Sequence, residues 1–243
     1  MKDSSELMAD FAEFETTYWF YVARLNILRK LFEQYINPGE LVLNIGCGPG
    51  ATSRLASEFG EVVSMDYSHD ALSYTRERGM NLLSRADCVA LPMRDSSCDL
   101  VLCLDVMEHI EDDRAFADEM MRVLVPGGRL LLTVPAGMWQ WTRRDDVFGH
   151  FRRYSVGSLS RVLAGTGFRL KHTTHFNSLL LPLNVIDVLV DRFRKNVDDE
   201  NCYPQFNPIL NSMLRSVFAL EKYMIPRPGF PFGRSLLAIA VRD

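Results

Sequence analysis

The sequence has little that would attract a polyanion. Its 243 residues include 27 lysines and arginines against 31 aspartates and glutamates, which gives a formal net charge of −4. Nucleic-acid backbones are bound mainly through clustered positive charge. The composition therefore favours a small-molecule ligand, and nucleic acid is not expected as a partner.

Signals for secretion or membrane insertion are also lacking. Residues 1–6 are polar and acidic, whereas a secretory signal begins basic and continues apolar. The most apolar stretch, residues 178–190, is interrupted by Pro182, Asn184 and Asp187, so it is not predicted to span a bilayer. The five cysteines form no C-x-x-C pair, which is typical of free thiols in a reducing compartment. We expect a cytoplasmic protein, with peripheral contact to a membrane or a lipid-linked substrate left open.

What the sequence does have is an apolar run, residues 41–45, that leads into Gly46, Gly48 and Gly50. Strand, tight turn and helix start are predicted, because glycine accepts positive φ and lets the backbone approach a ligand. The same residues satisfy the dinucleotide pattern G-x-G-x-x-G/A, so the turn alone does not name the ligand. Asp66 ends the next predicted strand and is placed to accept hydrogen bonds from ribose hydroxyls. An adenosine-containing ligand is predicted.

Three further segments follow in order: residues 87–92, residues 98–110 and residues 122–130. Together with the glycine turn, this series resembles the class I S-adenosylmethionine (SAM) dependent methyltransferases, with a domain of the methyltransferase type 11/12 kind. The resemblance covers residues 40–175. It implies an α/β, Rossmann-like sheet of seven mostly parallel strands, with helices on both faces and an antiparallel last strand.

The whole chain, residues 1–243, is predicted to be one methyltransferase domain. Residues 1–38 form an N-terminal helical cover, and residues 39–176 form the SAM-binding core. Residues 177–234 are a helical insertion between strands 6 and 7, and residues 235–243 form the last strand. The two insertion helices are expected to pack together as a lid over the acceptor site, with a dimer interface or a membrane-facing surface as alternatives. The oligomeric state is not indicated.

The resemblance also assigns the contacts to SAM. The predicted cofactor-binding residues are Asn44, Gly46, Cys47, Gly48, Gly50, Asp66, Tyr67, Asp87, Cys88, Leu104 and Asp105. Asp66 is assigned to the ribose, Asp87 and Cys88 to the adenine, and Leu104 and Asp105 to the methionine part. Asn44 departs from the family, which usually has Asp or Glu there. An amide can hydrogen-bond, but it brings no charge to a cationic cofactor.

Methyl transfer from a sulfonium requires neither a metal nor a covalent intermediate, and a base is needed only if the nucleophile keeps its proton. His109 is one candidate catalytic residue. The run from Asp105 to Glu108 and His109 resembles the E-x-x-E-H sequence with which some quinone-pathway O-methyltransferases hold a divalent ion. The same Glu-His pair occurs in metal-free relatives, where it shapes the acceptor pocket. No metal ligand is assigned.

His150 is the second candidate catalytic residue. It lies in a polar segment, residues 145–154, that follows the fifth predicted strand. There, Arg152 or Arg153 could pair with an anionic group on the acceptor. The alternative is a surface loop whose arginines pair with its own aspartates.

The sequence therefore favours a SAM-dependent methyltransferase that acts on a small molecule, with O-methylation preferred over N- or C-methylation. A lipid-linked, sugar-containing or secondary-metabolite acceptor fits this prediction. Two alternatives are kept: a SAM-binding regulatory or scaffold protein without transferase activity, and an NAD-dependent oxidoreductase. The sequence does not name the acceptor.

Overall fold

The computed structural model describes residues 4–193 and 206–243, and its centre is a seven-stranded sheet. The strands are β1 (Leu41–Ile45), β2 (Glu61–Asp66), β3 (Leu83–Arg85), β4 (Cys98–Leu104), β5 (Leu124–Pro135), β6 (Phe168–Phe176) and β7 (Ser235–Arg242). Their spatial order is β3-β2-β1-β4-β5-β7-β6. Strand β7 is antiparallel to β5 and β6, and the other neighbours are parallel. The predicted fold class is confirmed, including its antiparallel last strand.

Helices cover both faces of this sheet. The described helices are α1 (Ser4–Thr17), α2 (Trp19–Tyr35), α3 (Ala51–Ala56), α4 (His69–Glu77), α5 (Asp113–Val123), α6 (Arg143–Val147), α7 (Val156–Gly165), α8 (Leu181–Phe193) and α9 (Pro208–Ala219). Two buried apolar clusters result. One includes Phe116 of α5 and Leu159 of α7, and the other includes Leu31 and Phe32 of α2. Strand β4 is almost entirely buried between them, which explains its nearly continuous apolar sequence.

Helix starts occur at several N-caps that the sequence indicates. Ser68, Ser155 and Asn207 each accept a hydrogen bond from a main-chain amide in the first turn of α4, α7 and α9. The helix that starts after the glycine turn, α3, is short and ends at Ala56. It ends there because the amides of residues 58 and 59 bond three residues back, in the tighter 3-10 pattern.

The insertion between β6 and β7 contains the two predicted helices, but they do not form a pair with each other. Helix α9 packs against α2, where the Phe218 ring stacks on Phe20 at 5.5 Å and meets Trp19 edge-on at 5.9 Å. Helix α8 lies beside α6 instead, where Asp187 forms an ion pair with Arg144. The aromatic face of α2 thus takes the place of the expected helix partner. Within the described segments, no helix has both the length and the apolarity that crossing a membrane requires.

Candidate active site

A cavity of about 470 Å³ opens at the carboxyl ends of β1, β4 and β5. Ligands of parallel α/β sheets collect at this edge. The sheet side of the cavity is lined by the glycine turn, Leu104 and Asp105, and helices α1 and α2 cover it with side chains such as Phe11 and Tyr21. Helix α8 adds Asn184. Three parts of the chain that are distant in sequence therefore enclose one space.

The glycine turn leaves room for a ligand against its backbone. Gly46 and Gly48 have φ values of +63° and +54°, which residues with a side chain rarely adopt. A Cβ on Gly46 would lie 2.3 Å from Cγ2 of Val106, so no side chain fits there. A Cβ on Gly48 would meet nothing within 4 Å and would instead occupy space beside the cavity. The turn therefore leaves space in which a bound SAM would fit.

Two neighbouring elements hold the turn in place. The Thr75 hydroxyl of α4 donates to the Gly48 carbonyl at 2.9 Å. The Gly48 amide donates to Oδ2 of Asp66 at 2.9 Å, and the Ser68 amide donates to Oδ1 at 2.9 Å. A carboxylate oxygen has two lone pairs, so both oxygens can still accept from ribose hydroxyls. Asp66 thus fixes the turn and keeps the capacity for its predicted role.

Asn44 lies under the turn in a neutral polar network. It is only 2% exposed, and its amide donates to Oγ of Ser53 at 2.8 Å. The Ser64 hydroxyl lies 2.8 Å from the same oxygen. A buried carboxylate at this position would need charge compensation that these hydroxyls do not provide. The amide in place of the family's usual acid therefore matches its surroundings, and Asn44 also reaches the cavity wall.

The residues assigned to the adenosine end lie outside the cavity lining, on the rim formed by β2 and β3. Tyr67 is 70% exposed, and the Arg85 guanidinium lies 5.1 Å from its ring centroid. Burial, and then the nearby charge of Asp87, raises the pKa of Cys88 to about 11. Burial raises the pKa of Cys47 to about 12. The raised pKa of both thiols lowers the fraction of thiolate, the nucleophilic form of cysteine, at neutral pH.

Asp105 has a partner that the sequence analysis missed. Its φ is +59°, and its carboxylate forms an ion pair with Nη1 of Arg24 at 2.7 Å and accepts from the Thr133 hydroxyl at 3.0 Å. Arg24 also donates to the Thr133 hydroxyl at 3.0 Å. The sequence contains a signal for this contact: Arg24 lies between Phe20 and Leu28 on an otherwise apolar face of α2, where a charge needs a buried partner.

The two predicted catalytic histidines lie side by side although they are far apart in sequence. The ring centroids of His109 and His150 are 4.6 Å apart, and both rings line the cavity. The Phe151 amide donates to the Glu108 carbonyl at 2.8 Å, which joins the two segments. Burial, and then the neighbouring His150, lowers the pKa of His109. Burial, and then the charge of Asp105, raises the pKa of Glu108 well above its usual range.

Asp145 organises the segment that carries His150. Its carboxylate accepts from the His150 Nδ1 at 2.8 Å and from Arg153 Nε and Nη2 at 2.8 and 2.9 Å. Burial alone would raise the pKa of Asp145, but the hydrogen bonds from His150 and Arg153 hold it far below its usual range. Arg153 is thereby committed to Asp145, and Arg152 pairs with Asp113. The predicted pairing of these two arginines with an acceptor anion is not supported by these contacts.

A different arginine offers an unused donor at the cavity. Nη1 of Arg234 is buried without a hydrogen-bond partner. Its nearest carboxylate is Asp187, at 3.8 Å from Nη2, and that carboxylate also pairs with Arg144. Burial, and then the charges of Arg153 and Arg144, lowers the pKa of Arg234 to about 10. Three arginines thus share two aspartates at this end of the cavity, which leaves a positive excess.

Comparisons with known proteins agree with this geometry. A profile of the methyltransferase domain family matches residues 43–132. A probable S-adenosylmethionine-dependent methyltransferase of Mycolicibacterium smegmatis is 29% identical over 163 residues, 65% of this chain and 62% of that protein. A putative methyltransferase of Encephalitozoon cuniculi is 31% identical over 179 residues, 64% of this chain and 83% of that protein. This chain therefore spans less than two thirds of the mycobacterial protein.

A solved structure shares the fold along the full chain. It is the complex between the Haloferax volcanii Trm112 methyltransferase activator and a putative methyltransferase, at a TM-score of 0.66 and 15% identity. The likeness covers 100% of this chain and 99% of the other. The sheet order, the glycine turn and the relatives point to one family. The chain belongs to the class I S-adenosylmethionine-dependent methyltransferases, with S-adenosylmethionine as its methyl donor.

Proposed function

We propose that the chain methylates an oxygen atom of a small acceptor that carries an anionic group. The observation that carries the proposal is the cavity beside the glycine turn, with two imidazoles at one side and Arg234 at another. Its volume of about 470 Å³ lies within the range of small-molecule sites, about 300–1,000 Å³. The net charge of −4 adds no support for a polymeric polyanion.

Methyl transfer to a hydroxyl requires that the two reactants are positioned and that one proton is removed. When bound, SAM supplies an already activated methyl group. Orientation of the reactants in an enclosed site contributes about 7–11 kcal/mol at best. A hydroxyl acceptor must also lose its proton. His109 and His150 line the cavity, where they can hold the acceptor oxygen and assist that loss.

We infer an anionic group on the acceptor from the charge balance around Arg144, Arg153 and Arg234. A buried guanidinium nitrogen without a partner is costly, and a carboxylate or phosphate oxygen is the group that matches it. Arg144 and Arg153 form ion pairs with aspartates, whereas Nη1 of Arg234 has no hydrogen-bond partner. An acceptor anion at Arg234 would orient the rest of the molecule in the cavity.

The two alternative functions agree less well with the cavity and with the family. A SAM-binding scaffold without transferase activity needs no space for an acceptor, so the lined cavity favours transfer. A nicotinamide oxidoreductase does not agree with membership of this family.

Two measurements test the proposal. Calorimetry should detect binding of SAM and of its demethylated product, both tighter than binding of NAD. Transfer of a labelled methyl group should then be assayed with hydroxy acids and phosphorylated alcohols, each paired with its neutral ester or amide. We expect the anionic member of each pair to be the better acceptor, and Arg234→Met to reduce that preference at least tenfold. Arg161→Met, at an exposed position of α7, is the control. If the neutral members are methylated equally well, the acceptor does not need an anionic group and that part of the proposal is wrong.

A further inference from the structure

We propose that Glu108, His109 and His150 form a binding site for a borderline divalent cation such as Zn²⁺. Each of the three side chains offers one ligand atom, and these atoms lie within 4.8 Å of one another. They come from two segments, the short 3-10 helix Met107–His109 and the loop after α6, which fold together beside the cavity. The inference rests on the proposed function only for the cation's role, which is to hold the acceptor oxygen in place of direct contact with the two imidazoles.

Glu108 provides an observation that is independent of the clustering. It is 1% exposed, yet its Oε2 has no hydrogen-bond partner. An unpaired buried carboxylate oxygen is unusual in a folded protein and calls for an explanation. No arginine or lysine forms an ion pair with Glu108 in the described part of the chain. A cation between Glu108 and the two imidazoles would supply the missing partner.

His150 is oriented as metal-binding histidines are. Nδ1 of His150 lies 2.8 Å from Oδ1 of Asp145, and the His109 ring packs edge-on against the His150 ring with 4.6 Å between the ring centroids. An imidazole that donates from one nitrogen to a carboxylate or a carbonyl carries its lone pair on the other nitrogen. The His150 ring therefore has Nδ1 held by Asp145 and Nε2 left to ligate, and His109 adds a second imidazole beside it. Arg153 and Thr142 in turn fix the Asp145 carboxylate.

The set differs from the run of acidic residues and histidine that the sequence suggested. Asp105 is the first residue of that run, but its carboxylate is committed to Arg24 and Thr133. His150 takes its place, and it comes from a segment that no local motif connects to Glu108. The site therefore becomes visible only when the chain is folded.

The donor set selects the class of cation. Two imidazole nitrogens and one carboxylate oxygen suit Zn²⁺, Co²⁺ or Fe²⁺, whereas Mg²⁺ prefers oxygen donors throughout. Three protein ligands leave at least one coordination position free, as in catalytic zinc sites. The His109 and His150 rings line the cavity, so the free position can accept the acceptor oxygen. Coordination favours loss of the hydroxyl proton to solvent, which leaves an alkoxide or phenoxide as the nucleophile.

Cobalt binding to the full chain, treated with chelator and desalted, tests the site without any acceptor. We expect one Co²⁺ per chain, seen as visible absorption bands of a site with nitrogen ligands, and displacement of Co²⁺ by Zn²⁺. His150→Ala and Glu108→Gln should each lower the affinity at least tenfold, and Glu108→Gln keeps the shape of the side chain. His69→Ala removes an exposed imidazole at the start of α4 and is the matched control.

SAM binding by the same samples separates this inference from the proposed function. Wild-type protein that binds SAM but takes up no Co²⁺ at millimolar concentration overturns the cation site and leaves the methyltransferase proposal intact. Cobalt affinity that is unchanged in both His150→Ala and Glu108→Gln also overturns it. Loss of cobalt binding in variants that still bind SAM as the wild type does supports the site, because the fold is then preserved.

Discussion

Asp66 and Asp105 are predicted contacts of SAM, and each also joins elements of the protein. Asp66 ties the glycine turn to the start of α4, and Asp105 ties β4 to α2 through Arg24. A substitution at either residue changes the stability of the fold together with ligand affinity. Tests at this site must therefore measure both quantities.

The first prediction concerns Asp66. Asp66→Ala should weaken SAM binding by about 2–4 kcal/mol, because the ribose loses a charged acceptor. The variant should also lose about 1 kcal/mol of folding free energy, since the Gly48 and Ser68 amides lose their partner. Asp66→Asn keeps one acceptor oxygen and should lose less of both. Calorimetry and urea unfolding measure the two effects, and unchanged SAM affinity in folded Asp66→Ala would show that the ribose is held elsewhere.

The second prediction separates two costs of a side chain at Gly46, the steric clash with Val106 and the strain of a positive φ. Gly46→Ala places a Cβ 2.3 Å from Cγ2 of Val106 and forces a non-glycine residue to a φ of +63°. The conformational part costs about 1–2 kcal/mol, and the clash adds to it. Gly46→Ala combined with Val106→Ala removes the clash and should unfold at a higher denaturant concentration than Gly46→Ala alone. If the double variant is no more stable than Gly46→Ala, the Val106 side chain moves away from the new Cβ without loss of stability.

Among the elements, α2 and β5 are joined by the contact of Arg24 with Asp105 and Thr133. We predict that Arg24→Met destabilises the fold by about 3 kcal/mol, because it leaves a partly buried carboxylate without its cation. Asp105→Asn in the Arg24→Met background should recover part of that loss. Urea unfolding of the wild type, Arg24→Met, Asp105→Asn and the double variant gives the coupling energy. A coupling energy near zero would show that the pair is only a surface contact.

The turn that follows α9 is joined to the start of the insertion by a buried carboxylate. Glu221 is fully buried and accepts from the Ser178 and Leu179 amides. Burial raises the pKa of Glu221 above its usual 4.5. The folded state therefore keeps this proton to a higher pH than the unfolded chain does, so the stability contribution of Glu221 falls as the pH rises above 4.5.

Glu221→Gln removes that titration and tests the direction in which stability changes with pH. Relative to the wild type, the variant should become more stable as the pH is raised from 4 to 7, as measured by the urea midpoint. The matched control is Glu33→Gln, at an exposed position of α2. The same pH dependence in wild type and Glu221→Gln would contradict the burial argument.

The elements that were predicted correctly are those whose signal is local. The apolar strand over residues 41–45 and the glycine turn after it need only a short stretch of sequence to be recognised. Strand β3 has only three residues and was not assigned. The partner of α9 could not be deduced, because an aromatic face such as that around Phe218 fits several apolar surfaces equally well. At the site, His109 and His150 were found as single residues, but their contact depends on how two loops fold.

At the scale of the whole molecule, the cavity lies under parts of the chain from both ends, so movement of one of them would widen the path for ligand exchange. Helix α1 is the part with the least buried contact: none of its side chains whose burial is described is fully buried. Segments with few buried apolar contacts open at the lowest free energy. We therefore expect α1, rather than α2 with its core residues, to act as the movable cover.

An arginine links this cover to the turn after α4, which gives the last prediction. Arg78 of the turn after α4 forms an ion pair with Glu15 and donates to the Ala12 carbonyl, while Glu15 also accepts from the Ala51 amide beside the glycine turn. Arg78→Met should lower the cost of opening α1 by about 1–2 kcal/mol, because both sides of the pair are largely buried. Hydrogen exchange of α1 amides, and dissociation of SAM in stopped flow, should then be roughly 5–30 times faster. Arg76→Met, at an exposed position of α4, should change neither rate. If α1 exchange is as slow in Arg78→Met as in the wild type, the cover is held by its apolar contacts and the ion pair is incidental.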